Sequence, residues 1–160
     1  MAPRSSSQAR VASAGCAAWG PLHGERRRVR RRLRVGGAPD AAAPLGAPLH
    51  RHSREDEYSF VLEGRIGARL GDQVVFAEPG ELVFKPRDQW HTFWNAGDTE
   101  ARLLEIISPA GFERYFEELV KLFAAGPLSP GVLAEVARRY GLEVDASSVP
   151  GLVAEHGLIV

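Results

Sequence analysis

The middle of the chain alternates apolar and polar side chains with the two-residue period of a β-strand. Between residues 57 and 63, large apolar side chains occupy one face of the predicted strand, and smaller or acidic ones occupy the other. The first set is Tyr58, Phe60 and Leu62, and the second is Glu57, Ser59 and Val61. Turn residues separate further predicted strands at 65–70, 73–77, 82–85, 90–95 and 101–108. Many short strands joined by tight turns indicate an antiparallel sandwich or barrel.

Helical periodicity begins where the last of these strands ends. Ser108-Pro109 and Ser129-Pro130 are typical helix starts, and Gly126-Pro127 and Gly141 end the two patterns. The apolar positions are Phe112, Tyr115, Phe116, Leu119 and Phe123 in the first helix, and Val132, Leu133, Val136 and Tyr140 in the second. We interpret both stripes as cover for the barrel or for the partner in a homodimer. Residues 142–160 have no clear pattern, and we interpret His156 as a surface histidine.

Composition restricts the class of protein. The chain has 160 residues, 44% of them hydrophobic and 25% charged, which suits one globular domain with additional elements. No apolar run approaches the roughly 20 residues that span a bilayer, and residues 1–20 lack the apolar core of a secretion signal. The single cysteine, Cys16, cannot form an internal disulfide. We therefore expect a cytoplasmic protein that does not bind membranes.

Charge is distributed unevenly, although the formal net charge is zero. Residues 1–40 hold nine arginines against Glu25 and Asp40, whereas 11 basic and 18 acidic residues follow. The run at 26–34 could bind nucleic acid through phosphate contacts. However, no aromatic residue interrupts it, and its surroundings have the composition of a disordered chain. We expect residues 1–40 to be a disordered, basic, low-complexity segment, and nucleic acid is a disfavoured partner. Translation from a misassigned start is a further hypothesis for this composition.

Three histidines and one glutamate form a candidate metal site. His50 and His52 stand two apart in an extended segment, so both rings project to the same side. Glu57 follows on the strand face that carries small side chains, and His91 lies in a later strand. Three imidazoles and one carboxylate suit one divalent transition metal ion, namely iron, manganese, nickel, copper or zinc. The competing interpretation is three unrelated surface histidines.

Two motifs around these residues resemble those of the cupin superfamily, and the chain is similar to small single-domain cupins of the quercetinase-like type. The motifs are His50-x-His52-x4-Glu57-x6-Gly64, which resembles the first cupin motif, and Gly80-x5-Pro86-x4-His91-x3-Asn95, which resembles the second. Their spacing selects Glu57 among the three acids at 55–57. Two positions depart from the usual motifs, because Pro44 and Asp88 stand where each motif commonly has a glycine.

The resemblance implies an all-β fold, the double-stranded β-helix or jelly-roll barrel, at residues 44–108. A C-terminal extension with α-helices would follow at 109–160. The implied ligands of one metal ion inside the barrel are His50, His52, Glu57 and His91. Asn95 would have a structural role and would not be a ligand.

The number of predicted strands is too small for a complete jelly roll. Such a barrel takes about eight strands, whereas the pattern predicts six after residue 56 and one extended piece at His50. Residues 1–44 show no strand pattern. We therefore expect that the barrel lacks an edge or that a partner supplies one.

The predicted site is compatible with several functions. A metal ion with free coordination positions could polarise a bound enol, catechol or carboxylate oxygen, or transfer electrons to dioxygen. We expect a metal-dependent enzyme of the dioxygenase (oxidoreductase) or isomerase type that acts on a small molecule. The alternatives are a non-catalytic small-molecule binding or sensing cupin and a purely structural metal-bound barrel. If Glu105 faces inward, it could orient a ligand histidine or act as a base, although an outward glutamate is the slightly preferred interpretation.

Overall fold

The computed structural model describes residues 11–13, 29–35 and 43–159, which form two facing sheets and a helical C-terminal part. The first sheet contains, in spatial order, β1 (Val11–Ser13), β8 (Glu81–Lys85), β5 (Asp56–Glu63), β10 (Ala101–Ser108) and β2 (Val29–Val35). The second contains β11 (Leu142–Asp145), β4 (Leu49–His52), β9 (His91–Asn95), β6 (Ile66–Leu70) and β7 (Gln73–Ala77). A small parallel pair joins β3 (Ala43–Pro44) to β12 (Leu158–Ile159). Both large sheets are antiparallel, and the fold is the predicted double-stranded β-helix.

The alternation of side chains explains how the two sheets enclose a core. In β10 every second residue is buried, and β5 shows the same pattern on the face of Glu57, Ser59 and Val61. The apolar core takes residues from both sheets: Val61, Ile66, Ala68, Leu70, Ala77, Val83, Phe93, Ala101 and Leu103. The predicted division of 57–63 into two faces is therefore confirmed, and the structure shows that the face of Glu57, Ser59 and Val61 is the buried one.

Three helices follow the barrel. They are α1 (Glu113–Ala125), α2 (Pro130–Arg139) and α3 (Val149–His156). The predicted start of α2 is confirmed, because the Ser129 side chain accepts a hydrogen bond from the backbone N–H of Val132. α1 begins later than predicted from Ser108-Pro109, because Gly111 has a φ of 135°, which a helix does not accommodate. Within the described residues, no helix is long and apolar enough to cross a membrane.

The expectation that residues 1–44 hold no strand was wrong. β2 pairs with β10 along its whole length, from Val29 opposite Ile107 to Val35 opposite Ala101, and β1 pairs with β8. An edge strand takes its backbone hydrogen bonds from its neighbour, so neither segment needed a side-chain pattern of its own. The rest of the segment expected to be disordered lies outside the described residues. The predicted division of the chain into a disordered segment at 1–40, a barrel at 44–108 and a helical extension at 109–160 stays a prediction.

Candidate functional site

The four predicted ligands meet inside the barrel. β4 carries His50 and His52 on one face, β5 carries Glu57 near its start, and β9 begins with His91. β4 and β9 are paired so that His50 lies opposite His91, which brings residues distant in the sequence together. All four residues are buried, with exposed fractions of 8% for His50, 2% for His52, 4% for Glu57 and 1% for His91. The alternative of three unrelated surface histidines does not fit this arrangement.

One oxygen of Glu57 lies at the centre of the cluster. The Nε2 atoms of His50, His52 and His91 are 3.9, 3.0 and 3.5 Å from Glu57 Oε2. One potential ligand atom from each residue can be chosen so that all four lie within 4.8 Å of one another. Three imidazole nitrogens and a carboxylate oxygen at this separation form a mixed donor set that suits a divalent transition metal.

Backbone carbonyls orient two of the rings. His50 Nδ1 is 2.8 Å from the carbonyl oxygen of Pro48, and His91 Nδ1 is 2.9 Å from that of Gln89. A carbonyl oxygen only accepts, so Nδ1 carries the proton in both rings and the Nε2 lone pair faces the cluster. Burial lowers the pKa of His91 to about 4, so this ring stays neutral near pH 7.

Orphaned polar atoms show that the cluster fits a cation. His91 Nε2 is buried without a hydrogen-bond partner, and its lone pair faces a carboxylate oxygen that is also an acceptor. Burial would lower the pKa of His52, but the neighbouring Glu55 and Glu57 side chains outweigh it and raise that pKa. A positive charge among these atoms would satisfy both observations, and a metal ion held by the four residues provides one.

Lys85 and Glu105 form a second layer behind Glu57. The fully buried Lys85 ammonium donates to Glu57 Oε1 and, at 3.2 Å, to Glu105 Oε2. Ser59 Oγ donates to the other oxygen of Glu105. Glu105 is thus inward, and the preferred interpretation of an outward glutamate was wrong. The alternation of β10 explains it, because Glu105 stands between the buried Leu103 and Ile107.

Burial and neighbouring charges set the protonation of this layer. Burial alone would raise the pKa of Glu57, but Lys85 and the three imidazoles hold it well below its usual range. Burial raises the pKa of Glu105 above its usual range, although Lys85 acts against the rise. Burial would lower the pKa of Lys85, but the carboxylates of Glu105 and Glu57 raise it, so the ammonium stays charged.

Sequence reasoning missed Lys85. Its signal was weak but present, because Lys85 stands two residues after the buried Val83 on β8, where strand alternation also turns it inward. Asp88, at the position where the motif commonly has glycine, has a φ of 63°. The aspartate therefore adopts the left-handed conformation for which glycine is usually needed. Asn95 has the structural role implied by the resemblance, since it binds the Thr99 carbonyl and the Gly97 N–H beyond β9.

Three of the four cluster residues, His50, His52 and Glu57, line an apolar cavity of about 490 Å³. The polar lining side chains are His50, His52, Glu57 and Glu105, together with the Tyr115 ring, and the rest of the wall is apolar. The apolar wall comes from Phe93, Ile107, Phe112, Phe116, Leu133, Ala137, Leu142 and Val144, with smaller residues between them. Tyr115 and Phe116 of α1 and Leu133 of α2 line the cavity, so this part of the two predicted stripes covers the barrel. Phe123 and Val132, at other positions of the stripes, are exposed.

Residues 142–160 contribute to the site although their sequence carried no clear pattern. β11 pairs with the ligand strand β4, with Leu142 opposite His52 and Val144 opposite His50. Farther along, the His156 ring stacks on the buried Trp94 at 4.2 Å, and its Nε2 is buried. The interpretation of His156 as a surface histidine was therefore wrong, while its exclusion from the metal cluster agrees with the structure.

Comparisons with known proteins agree with the motifs. Residues 41–107 match the family model described as the cupin domain. The chain is 35% identical over 60 residues to the tetracenomycin polyketide synthase protein TcmJ of Streptomyces glaucescens, covering 38% of this chain and 40% of that protein. It is 33% identical over 60 residues to polyketide synthase CurC of Streptomyces cyaneus, covering 38% and 39%. The chain therefore spans about two fifths of the length of these curated relatives.

One solved structure that the chain matches is that of the protein TT1209 from Thermus thermophilus. It has 22% sequence identity and a TM-score of 0.46, and the match covers 56% of this chain and 79% of that one.

Proposed function

We propose that this chain, whose residues 41–107 match the cupin domain family model, is a mononuclear metal-dependent enzyme that acts on a small molecule, of the dioxygenase or isomerase type. The observation that carries the proposal is the convergence of three imidazole Nε2 atoms on Glu57 Oε2 beside an apolar cavity. His50, His52, Glu57 and His91 would hold one divalent transition metal ion, of iron, manganese, nickel, copper or zinc. When bound, the metal supplies Lewis-acid polarisation of a substrate oxygen or, as iron or copper, electron transfer with dioxygen.

The protein's own residues would bind and enclose the substrate. The walls from Phe93, Phe112 and Phe116 offer aromatic faces to a flat or elongated apolar molecule. His52 and Glu57 are only 2% and 4% exposed, so electrostatic interactions between these side chains are stronger than they would be in water. Glu105 lines the cavity as well as contacting Lys85 and Ser59, so it is the candidate group for proton transfer to or from the substrate.

The cavity and the relatives together suggest a substrate class. An apolar molecule with an enol, catechol or carboxylate oxygen would place that oxygen at the cluster and its carbon skeleton against the walls. Both curated relatives are named as polyketide synthase proteins, and polyketides carry such oxygens on extended apolar frameworks. We therefore include polyketide-type molecules in the proposed class. A homodimer and a cytoplasmic location stay predictions from the sequence.

A non-catalytic binding or sensing cupin is the alternative, and one observation favours it. Both oxygens of Glu105 already have partners in Lys85 and Ser59. A carboxyl group held in this way can shape a pocket without accepting a proton from a ligand.

Oxygen uptake and solvent exchange would separate these functions. Protein loaded with each of the candidate metals is supplied with flavonol, catechol and polyketide-type substrates. Oxygen consumption supports the dioxygenase type, and deuterium incorporation from solvent without oxygen consumption supports the isomerase type. Saturable binding with neither reaction supports the sensor. If Glu105 transfers a proton, Glu105→Gln lowers turnover by about 100-fold or more, while the exposed Glu117→Gln on α1 leaves turnover unchanged.

A further inference from the structure

Lys85 is a buried cation in direct contact with the candidate metal ligand Glu57. The chain has two lysines, and the other, Lys121, is exposed on α1. A buried ammonium persists only where anionic or polar partners compensate for the lost hydration. Lys85 has two carboxylate partners, Glu57 and Glu105, and its Nζ also lies 4.5 Å from the centre of the Phe93 ring. Its position is therefore determined on three sides.

The two oxygens of Glu57 face different partners. Oε2 faces the three imidazoles, whereas Oε1 accepts the hydrogen bond from Lys85. A hydrogen bond between a buried ammonium and a carboxylate is among the strong ones in proteins. Oε1 could turn toward the imidazole cluster only by leaving the ammonium without this partner.

A lysine suits this position better than an arginine would. The ammonium is compact and can direct its donors to Glu57 and Glu105 at once, whereas a guanidinium is planar and wider. Besides Lys85 and Lys121, the chain has 18 basic residues, and all of them are arginines. The side chain in contact with Glu57 is thus of the rarer basic type, and its shape matches the contacts that it makes.

We propose, on the basis of the proposed metal site, that Lys85 is a positioning residue that restricts Glu57 to a single metal-binding oxygen, Oε2. A carboxylate that binds through one oxygen occupies one coordination position, whereas binding through both would occupy two. Lys85 thereby keeps a position available to the small-molecule ligand. It also places a positive charge behind the ligand set, which moderates the affinity for a metal cation.

Removing the ammonium should change the metal site in a defined direction. Lys85→Met keeps a side chain of similar length but frees Oε1 and removes the like charge, and both changes favour tighter metal binding. Co(II) is the probe, because its visible absorption weakens as the coordination number rises. We expect Lys85→Met to bind Co(II) about 10-fold or more tightly in competition with a chelator, because a like charge near the cation is removed, with weaker visible bands than the wild type. Lys121→Met is the matched control and should leave both quantities unchanged.

The outcome is decided by folded variants alone. If Lys85→Met does not fold, Lys85→Met/Glu105→Gln replaces it with the same expectation, because this pair leaves fewer carboxylates without a cation. Unchanged or weaker Co(II) binding, or an unaltered spectrum, overturns the role of Lys85 while the metal site stands. Failure of the wild-type protein to bind Co(II) overturns the metal site itself, and the role of Lys85 with it.

Discussion

Replacing Phe112 with alanine should weaken the packing of the helices against the barrel and lower the free energy of unfolding. Phe112 is 3% exposed. The centre of its ring lies 4.5 Å from the ring centre of His52, 5.0 Å from that of Tyr115 and 5.3 Å from that of Phe116. A buried Phe→Ala change costs about 3–5 kcal/mol of unfolding free energy. We take the lower end, about 3 kcal/mol, because the ring already borders a cavity and so has fewer contacts to lose. For a chain of this length, the melting temperature should fall by about 6–12 °C.

The measurement is thermal and urea unfolding in the presence of a chelator, so that metal binding does not contribute. Phe123→Ala on α1 is the matched control, because Phe123 is 54% exposed, and its loss should cost about 0.5 kcal/mol or less. The reasoning is refuted if Phe112→Ala loses less than about 1 kcal/mol, or no more than the control. In that case the Phe112 ring would not be what packs the helices against β4, the strand that carries His50 and His52.

Two further predictions concern protons and packing. Metal retention should fall below about pH 6, because the imidazoles must be neutral to bind a metal ion. Burial opposes protonation of His52, but Glu55 and Glu57 raise its pKa. Protons therefore compete with the metal for His52 as the pH falls. Metal content after dialysis from pH 8 to pH 4 measures this, and constant occupancy into the acid range would contradict it. Gly67→Ala should cost about 1–3 kcal/mol, because a Cβ there would lie 2.4–2.6 Å from atoms of the buried Trp94 ring. Calorimetry should show this loss of stability. Gly151→Ala on α3 is the control and should lose no stability, because a Cβ there meets nothing within 4 Å. Equal melting temperatures of the two variants would contradict the packing of Gly67 against Trp94.

Local patterns account for the parts of the fold that could be predicted. The strands after residue 56 carry their own alternation and turn residues. The full ligand set was implied by the resemblance to the cupin motifs, whose spacing selects Glu57 among the acids at 55–57. His50 and His91 also belong to motifs of fixed spacing, so their meeting across β4 and β9 could be expected before the structure.

Long-range pairing accounts for what could not be predicted. β11 has four residues, too few for a recognisable pattern, and it forms a strand because β4 offers it a partner. β2 likewise depends on β10. Lys85 has the chemistry of a surface residue, and only the contacts with Glu57 and Glu105 explain its burial.

Metal content is the most direct test of the claim that four distant side chains hold one cation. Wild-type protein, His91→Ala and His156→Ala are loaded with one candidate metal, desalted and analysed for metal per chain. His91 belongs to the buried cluster, whereas His156 stacks on Trp94 away from it. We predict about one metal ion per chain in the wild type, the same in His156→Ala, and a loss of most of it in His91→Ala. Wild-type protein that retains no metal, or equal retention by all three, would contradict the proposed metal centre.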